Sequence, residues 1–501
     1  MRLKPGLIFS EHMVLQRNKT LYVFGESIDN DIIKVTLNKQ TAICTCTDGR
    51  WVAELSPEKE NEKTVLRIES ETLDEKIEFS DVAIGEVILA GGQSNMEFIM
   101  KYDIDFEEMK KDEKDDFIRY FAYPQTCFKG FIEKEGLGKF GLWRRWDKEE
   151  DRKEFSAVSL YMAKVLREKL NVPVGIISAN WGGTPAVTWT KREDVEANPA
   201  QKAIIDWRDK CMAELDMAKY YAASEKKIPK PTKEMERFTD YFMMGGDMRE
   251  FFKNGPPPMN PDVYSAWNPG PRSCIFPGNL YENILLNIAP YAIRAFTFWQ
   301  GEDDDARDWA EFYDSSMITM INSWRNLWNE EIPFFQVELS NFKGVGVTAA
   351  KKYPLIRQLQ HSITTKLEKV YTVSSMDIGE EYNIHPRHKQ PVGTRLGKMI
   401  MKYVFNEDIK ADCPDVKSIE YSDNRIIISF VFAERLVING DIYESLKVND
   451  SGDYDYEVNG NRIIIECKDR INKIEYCYDN YSKTCIFNEE GNPAFGFRRE
   501  F

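Results

Sequence analysis

The sequence predicts an α/β protein in which a parallel sheet with helices on both faces carries a small β domain at each end. Two observations give the layers: from about residue 85 short apolar runs alternate with stretches of helical periodicity, whereas residues before 85 and after 405 read as short strands separated by turns. A third concerns the first apolar run of the middle part. It ends abruptly in Gly91-Gly92-Gln93-Ser94-Asn95-Met96, a Gly-rich turn that would present one serine at a strand's end. The 501 residues exceed what one hydrophobic core usually serves, so two or three domains are expected.

Residues 1–84 supply strands at 20–24, 32–37, 41–45, 51–55, 64–68 and 76–79, divided by turn signals such as Asp48-Gly49. A small antiparallel sandwich is the expected result. Residues 85–405 form the candidate catalytic domain, with five core strands at 87–90, 174–179, 295–299, 334–339 and 370–375. The helix before the second strand places Val158, Met162, Val165 and Leu166 on one face, and the last helix does the same with Val392, Leu396, Met399, Ile400 and Tyr403. Ligands of such sheets bind beyond the carboxyl ends of the strands. Ser94, Gly182-Gly183, Gln300 and Asp377 fall just past those ends. An insertion at about 190–277 is helical around 203–221 and rich in proline and glycine at Asn254-Gly255-Pro256-Pro257-Pro258. It reads either as a wall or lid over the site or as a surface element. Residues 406–501, with strands at 425–432, 444–448, 462–467 and 473–478, read as a second β domain that could pack with the first.

A net charge of −15 argues against nucleic-acid or anionic-membrane partners, both of which demand a basic face. A neutral substrate such as a sugar ester fits better. The N-terminal residues lack the continuous apolar segment of a leader and no run approaches membrane-spanning length, so the chain reads as soluble and cytoplasmic. Nine scattered cysteines suit reduced thiols. Four histidines make a His-rich metal site an unsuitable reading, and the consecutive Glu302-Asp303-Asp304-Asp305 would face in several directions, so no metal and no cofactor is assigned.

A serine hydroxyl becomes a useful nucleophile when an imidazole accepts its proton. Ser94 is the candidate nucleophile; its bland alternative is a turn serine capping the next helix. His385 precedes Pro386 and the final helix, a loop-to-helix junction open to the pocket. His12, His361 and His388 compete for the role, and His388 is the serious rival. Candidate acids are Asp377, Glu380, Glu381 and Glu302, with a backbone carbonyl as the alternative partner of the imidazole. Of the tryptophans near these motifs, Trp181, Trp189, Trp299 and Trp309, one is expected to contact substrate.

Gln93-Ser94-Asn95-Met96, Phe298-Trp299-Gln300-Gly301-Glu302 and Asn383-Ile384-His385-Pro386 follow one another in the order of a serine, oxyanion-donor, histidine site. Together with the opening Phe9-to-Arg17 segment, Gly49-Arg50-Trp51 and the closing segment from Ile486 to Arg498, they make the chain resemble the sialate O-acetylesterase-type SGNH hydrolases. The resemblance implies a flavodoxin-like SGNH core with Ser94 as nucleophile and His385, followed by Pro386 and Lys389 in the family's pattern, as base. It implies an oxyanion hole built from the Ser94 N–H, the Gly183 N–H and the Gln300 amide, with Gln93, Asn95, Trp181 and Glu302 as substrate-binding candidates. The sequence departs from the family at the acid: the position three before the histidine is Tyr382, and Asn383 stands where many relatives have aspartate. Asp377, at the end of a strand, is then the preferred acid. The implied reaction is removal of acetyl groups from a sugar, either sialic acid or a plant-polysaccharide fragment. The alternatives are a carbohydrate-binding protein without turnover and an esterase for non-sugar acyl groups.

Overall fold

One strand links two sheet systems in the computed structural model, which describes residues 2–228, 231–247, 249, 264–346 and 349–501. The Asn254-to-Pro258 run lies outside the described residues. Strand β1, Glu75–Gly92, is 18 residues long. Its first half pairs antiparallel with Asn61–Ser70, which continues through Ile32–Leu37 to Gln40–Thr45. A second sheet of Lys4–Pro5, Leu21–Glu26 and Arg50–Leu55 accompanies it, and Val23, Ile33, Val35 and Trp51 are buried. Along Ile32–Leu37 the residues alternate between buried and more exposed, the period-2 pattern of a strand with one apolar face.

The second half of β1 is buried at every residue from Val82 to Gly92, and it joins a mostly parallel sheet. The further strands are β2 (Asp115–Ala122), β3 (Trp143–Trp146), β4 (Val174–Asn180), β5 (Ala295–Trp299), β6 (Phe334–Val337) and β7 (Val370–Val373). Their order is β3-β2-β4-β1-β5-β6-β7, parallel throughout except for β3 at the edge. The five strands legible in the sequence therefore lie in the order 2-1-3-4-5, that of flavodoxin-like sheets. Sequence reading missed β2 and β3. Arg119 interrupts the apolar run of β2 and Arg144-Arg145 that of β3. Arg119 is nonetheless buried, its Nη2 donating to Asp81 at 2.9 Å.

Helices cover both faces, which is why the strands read as apolar runs. On one face α1 (Ala157–Leu170), capped by the Ser156 hydroxyl, packs on the last helix, Gln390–Phe405. Their close approach depends on Gly393, where a Cβ would stand 2.5 Å from the Val158 carbonyl oxygen, and on Gly397, where it would stand 2.6 Å from the Val165 Cβ. The opposite face is covered by Tyr313–Trp328 and Tyr353–Lys366.

The chain's last strands form antiparallel sheets around a core of Ile426, Ile428, Phe430, Ile463 and Ile474. They bond to the central unit: Arg357 donates to the Asp479 carbonyl at 2.5 Å, and the Ser482 N–H reaches Asn341 at 3.2 Å. Among the described residues no hydrogen bond joins them to residues 2–84, and their core is separate from the one that the N-terminal strands share.

Candidate active site

The site forms just beyond the carboxyl ends of β1 and β5, which pair to their last residues, at the point where strand order reverses and ligands of such sheets settle. Gly92 closes β1 with φ +136°, and a Cβ there would stand 2.3 Å from the Trp299 carbonyl oxygen, so only glycine lets the two strand ends meet. Gln93 is extended, and Ser94 opens a four-residue helix, Ser94–Glu97. The Ser94 N–H has no partner among the described residues, as the first turn of a helix leaves it. Facing it is the turn after β4. The Gly182 N–H donates to Glu97 Oε2 at 2.9 Å. The Gly183 N–H, on a residue with φ +70°, makes no hydrogen bond among the described residues.

Ser94, Gly183 and His385 line one pocket of about 450 Å³. Gln93 and Glu302 also stand on its wall. His385 is presented by a loop that bonds to itself: its N–H donates to Asn383 Oδ1 at 3.0 Å, and Glu380 Oε1 accepts the Arg387 N–H at 3.0 Å. The imidazole is buried, with Phe242 edge-on at 5.2 Å and an Nδ1 that has no hydrogen-bond partner. Burial, then the charge of Lys389, lowers its pKa to about 3, so the ring is neutral at ordinary pH and available as a base. No hydrogen bond joins it to Ser94 here; such bonds are often long before substrate binds. The other three histidines face carboxylates elsewhere: His12 with Asp81, His361 with Asp415 and His388 near Asp105.

The structure does not bring Asp377 to the imidazole. Arg395, nearly buried, holds its carboxylate with two hydrogen bonds of 2.8 and 2.6 Å. The other sequence candidates are committed as well: Glu380 to its own loop, Glu381 to Lys343 at 3.1 Å and Glu302 to Asn95 at 2.6 Å. Gln300 is displaced from its expected role in the same way. It is fully buried, and its Nε2 donates to Asp304 at 2.5 Å and to the Thr184 carbonyl at 3.3 Å. Asn95 is a tie rather than a wall residue. Its Nδ2 donates to Glu302 and to the Ile384 carbonyl, and its Oδ1 accepts from Lys389 Nζ at 2.6 Å. Lys389 is fully buried over the Trp299 ring at 4.3 Å, and burial lowers its pKa to about 7.

Two residues that sequence reading missed come from the insertion. Trp267 covers Gly183, so close that a Cβ on the glycine would stand 3.2 Å from the indole Nε1, and Trp181 packs behind Trp267 with ring centroids 6.0 Å apart. Phe242, on the helix Lys233–Met243, lies against His385. The insertion thus walls the pocket. An aromatic beside a Pro-Gly turn, as in Trp267-Asn268-Pro269-Gly270, was the available signal. Among the described residues no group of three or more His, Cys, Asp or Glu side chains is arranged to hold a metal ion, and no helix is long and apolar enough to cross a membrane.

A family model described as carbohydrate esterase, sialic acid-specific acetylesterase, matches residues 262–406. The sialate O-acetylesterase of Rattus norvegicus is 21% identical over 420 residues, covering 77% of this chain and 70% of that protein. The sialate O-acetylesterase of Pongo abelii is 27% identical over 206 residues, 37% of this chain and 38% of that protein. Among solved structures XAC1771, a carbohydrate acetylesterase from Xanthomonas citri, aligns over the whole of both chains with TM-score 0.75 and 20% identity, a likeness of fold.

Proposed function

We propose that this chain, a carboxylic ester hydrolase related to the sialate O-acetylesterases, removes acetyl groups from a carbohydrate with Ser94 as nucleophile on an SGNH-type core. The observation that carries this reading is the convergence of Ser94, a neutral imidazole at His385 and two unpaired N–H groups on one pocket. In the proposed reaction Ser94 Oγ attacks the acetyl carbonyl while His385 takes its proton, and the sugar hydroxyl leaves with that proton. Water, deprotonated by the same imidazole, then releases acetate. The oxyanion is met by the Ser94 and Gly183 N–H groups; one such donor is typically worth about a hundred- to a thousand-fold in rate. With Asp377 and Gln300 both committed elsewhere, the reading is a Ser-His dyad with a backbone oxyanion hole.

The test is acetate release from O-acetylated sialic acid and from xylo-, manno- and xyloglucan oligosaccharides. Release that Ser94→Ala lowers by at least about a thousandfold is the expected result; undiminished release in that variant would falsify the mechanism. One observation favours a second reading, carbohydrate binding without turnover: among the described residues no carboxylate holds the imidazole. Covalent labelling of Ser94 by an organophosphonate separates the two.

A further inference from the structure

The pocket wall has a charge character that the acetyl chemistry does not require. Glu302, Asp303 and Asp305 all line it, and among its described lining residues there is neither lysine nor arginine. Glu302 is 6% exposed and its Oε2 has no hydrogen-bond partner. Cations around it are engaged: Lys389 donates to Asn95 and Arg307 holds Asp303 at 2.5 Å, while Asp305 accepts the Lys351 and Lys352 N–H groups at 2.8 and 2.6 Å. At the rim Lys343 pairs with Glu381 and Arg249 with Asp247. The remaining wall is largely apolar or aromatic, with Phe242, Trp267, Phe342 and Tyr353.

This combination suits a neutral sugar. Hydroxyl groups donate to carboxylates, and the apolar faces of a pyranose ring rest on aromatic rings. The ionised carboxylate of an acidic sugar offers only acceptors, and beside Glu302, Asp303 and Asp305 its charge would be desolvated without a cationic partner. We infer that the pocket selects acetylated sugars without net charge and discriminates against acetylated sugars that carry a carboxylate, sialic acid included. The inference rests on the acetylesterase reading above.

The experiment compares acetate release from 9-O-acetyl-N-acetylneuraminic acid with release from its C1 carboxamide, which removes the charge and keeps the ring. An acetylated xylo-oligosaccharide serves as the neutral reference. The expected kcat/KM is at least about tenfold higher for the carboxamide than for the acid, with a ratio that narrows as salt is raised. Asp303→Asn, which leaves Arg307 without its carboxylate, should narrow the ratio severalfold. Equal or faster turnover of the free acid overturns the inference while leaving the acetylesterase reading intact, as does a ratio that Asp303→Asn does not move. Refusal of both sialic acid forms with the xylo-oligosaccharide cleaved also overturns it, because shape and not charge would then select. No acetate from any substrate, with Ser94 unlabelled by a phosphonate, ends both readings.

Discussion

Glu97 accepts the Gly182 N–H at 2.9 Å, tying the short helix that Ser94 opens to the turn after β4. The bond uses up one donor and leaves the next, the Gly183 N–H, open to the pocket. Burial raises the pKa of Glu97, opposed by the Gly182 N–H. Gln125 donates to its other oxygen at 3.0 Å.

Glu97→Ala should therefore lower kcat by about tenfold to a hundredfold with KM changed by less than about threefold, since the loss falls on the oxyanion more than on the sugar. Steady-state kinetics on an acetylated oligosaccharide check this, with a melting curve to show that the variant is folded. An equal loss carried wholly by KM would place Glu97 in sugar binding instead.

Asp377→Asn tests the dyad. Its carboxylate is bonded to Arg395, so the change leaves a nearly buried guanidinium short of a counter-charge and should cost about 1–3 kcal/mol of stability. Activity of the folded variant should stay within about threefold of the parent. A loss of a hundredfold or more would restore Asp377 to the triad.

The His385 pKa, lowered to about 3 from an ordinary 6.5, fixes a pH prediction. The imidazole stays a free base well into the acid range, so the acid limb of kcat/KM should lie clearly below pH 6. Between the folded and unfolded values the unfolded chain binds a proton that the folded one refuses. This group's contribution to stability therefore declines as pH falls from about 6.5 toward 3. Lys389→Met removes a neighbouring positive charge and should move the acid limb upward. A pH–rate profile with its limb near 6.5 in the parent would contradict the burial of the ring.

Trp267→Ala tests the insertion's part in the wall. The indole covers Gly183 while remaining partly exposed, so its loss should raise KM for oligosaccharides about tenfold. Turnover of a small acetyl ester such as p-nitrophenyl acetate should change much less. Comparable losses on both would mean that Trp267 shapes the oxyanion turn.

The central sheet was legible because parallel strands covered on both faces must be apolar, and the five runs at 87–90, 174–179, 295–299, 334–339 and 370–375 are just that. Ser94 and His385 stood out as motifs at strand and helix boundaries, and both line the same pocket. Strand β2 was hidden by Arg119, whose charge is satisfied by Asp81, a partner 38 residues earlier that no local pattern announces. Asp377 and Gln300 sit where strand-end logic expected them, but Arg395 and Asp304 claim their polar atoms, and competition among partners is a property of three-dimensional neighbours. Phe242 and Trp267 were obscured because nothing local says which side chains of an insertion turn toward a pocket built by distant strands.

The continuity of Glu75–Gly92 makes the N-terminal sheet a gauge for the position of Ser94. Residues in a strand advance by about 3.3 Å each and alternate faces, so a slip of one residue against Asn61–Ser70 would turn over the paired half of β1 and strain the register that its other half keeps with β4 and β5. Catalytic groups tolerate displacements of only about 0.5 Å. Pairings such as Leu66 with Phe79 and Ile68 with Ile77, outside the pocket, thus fix the register of the strand that leads to Ser94.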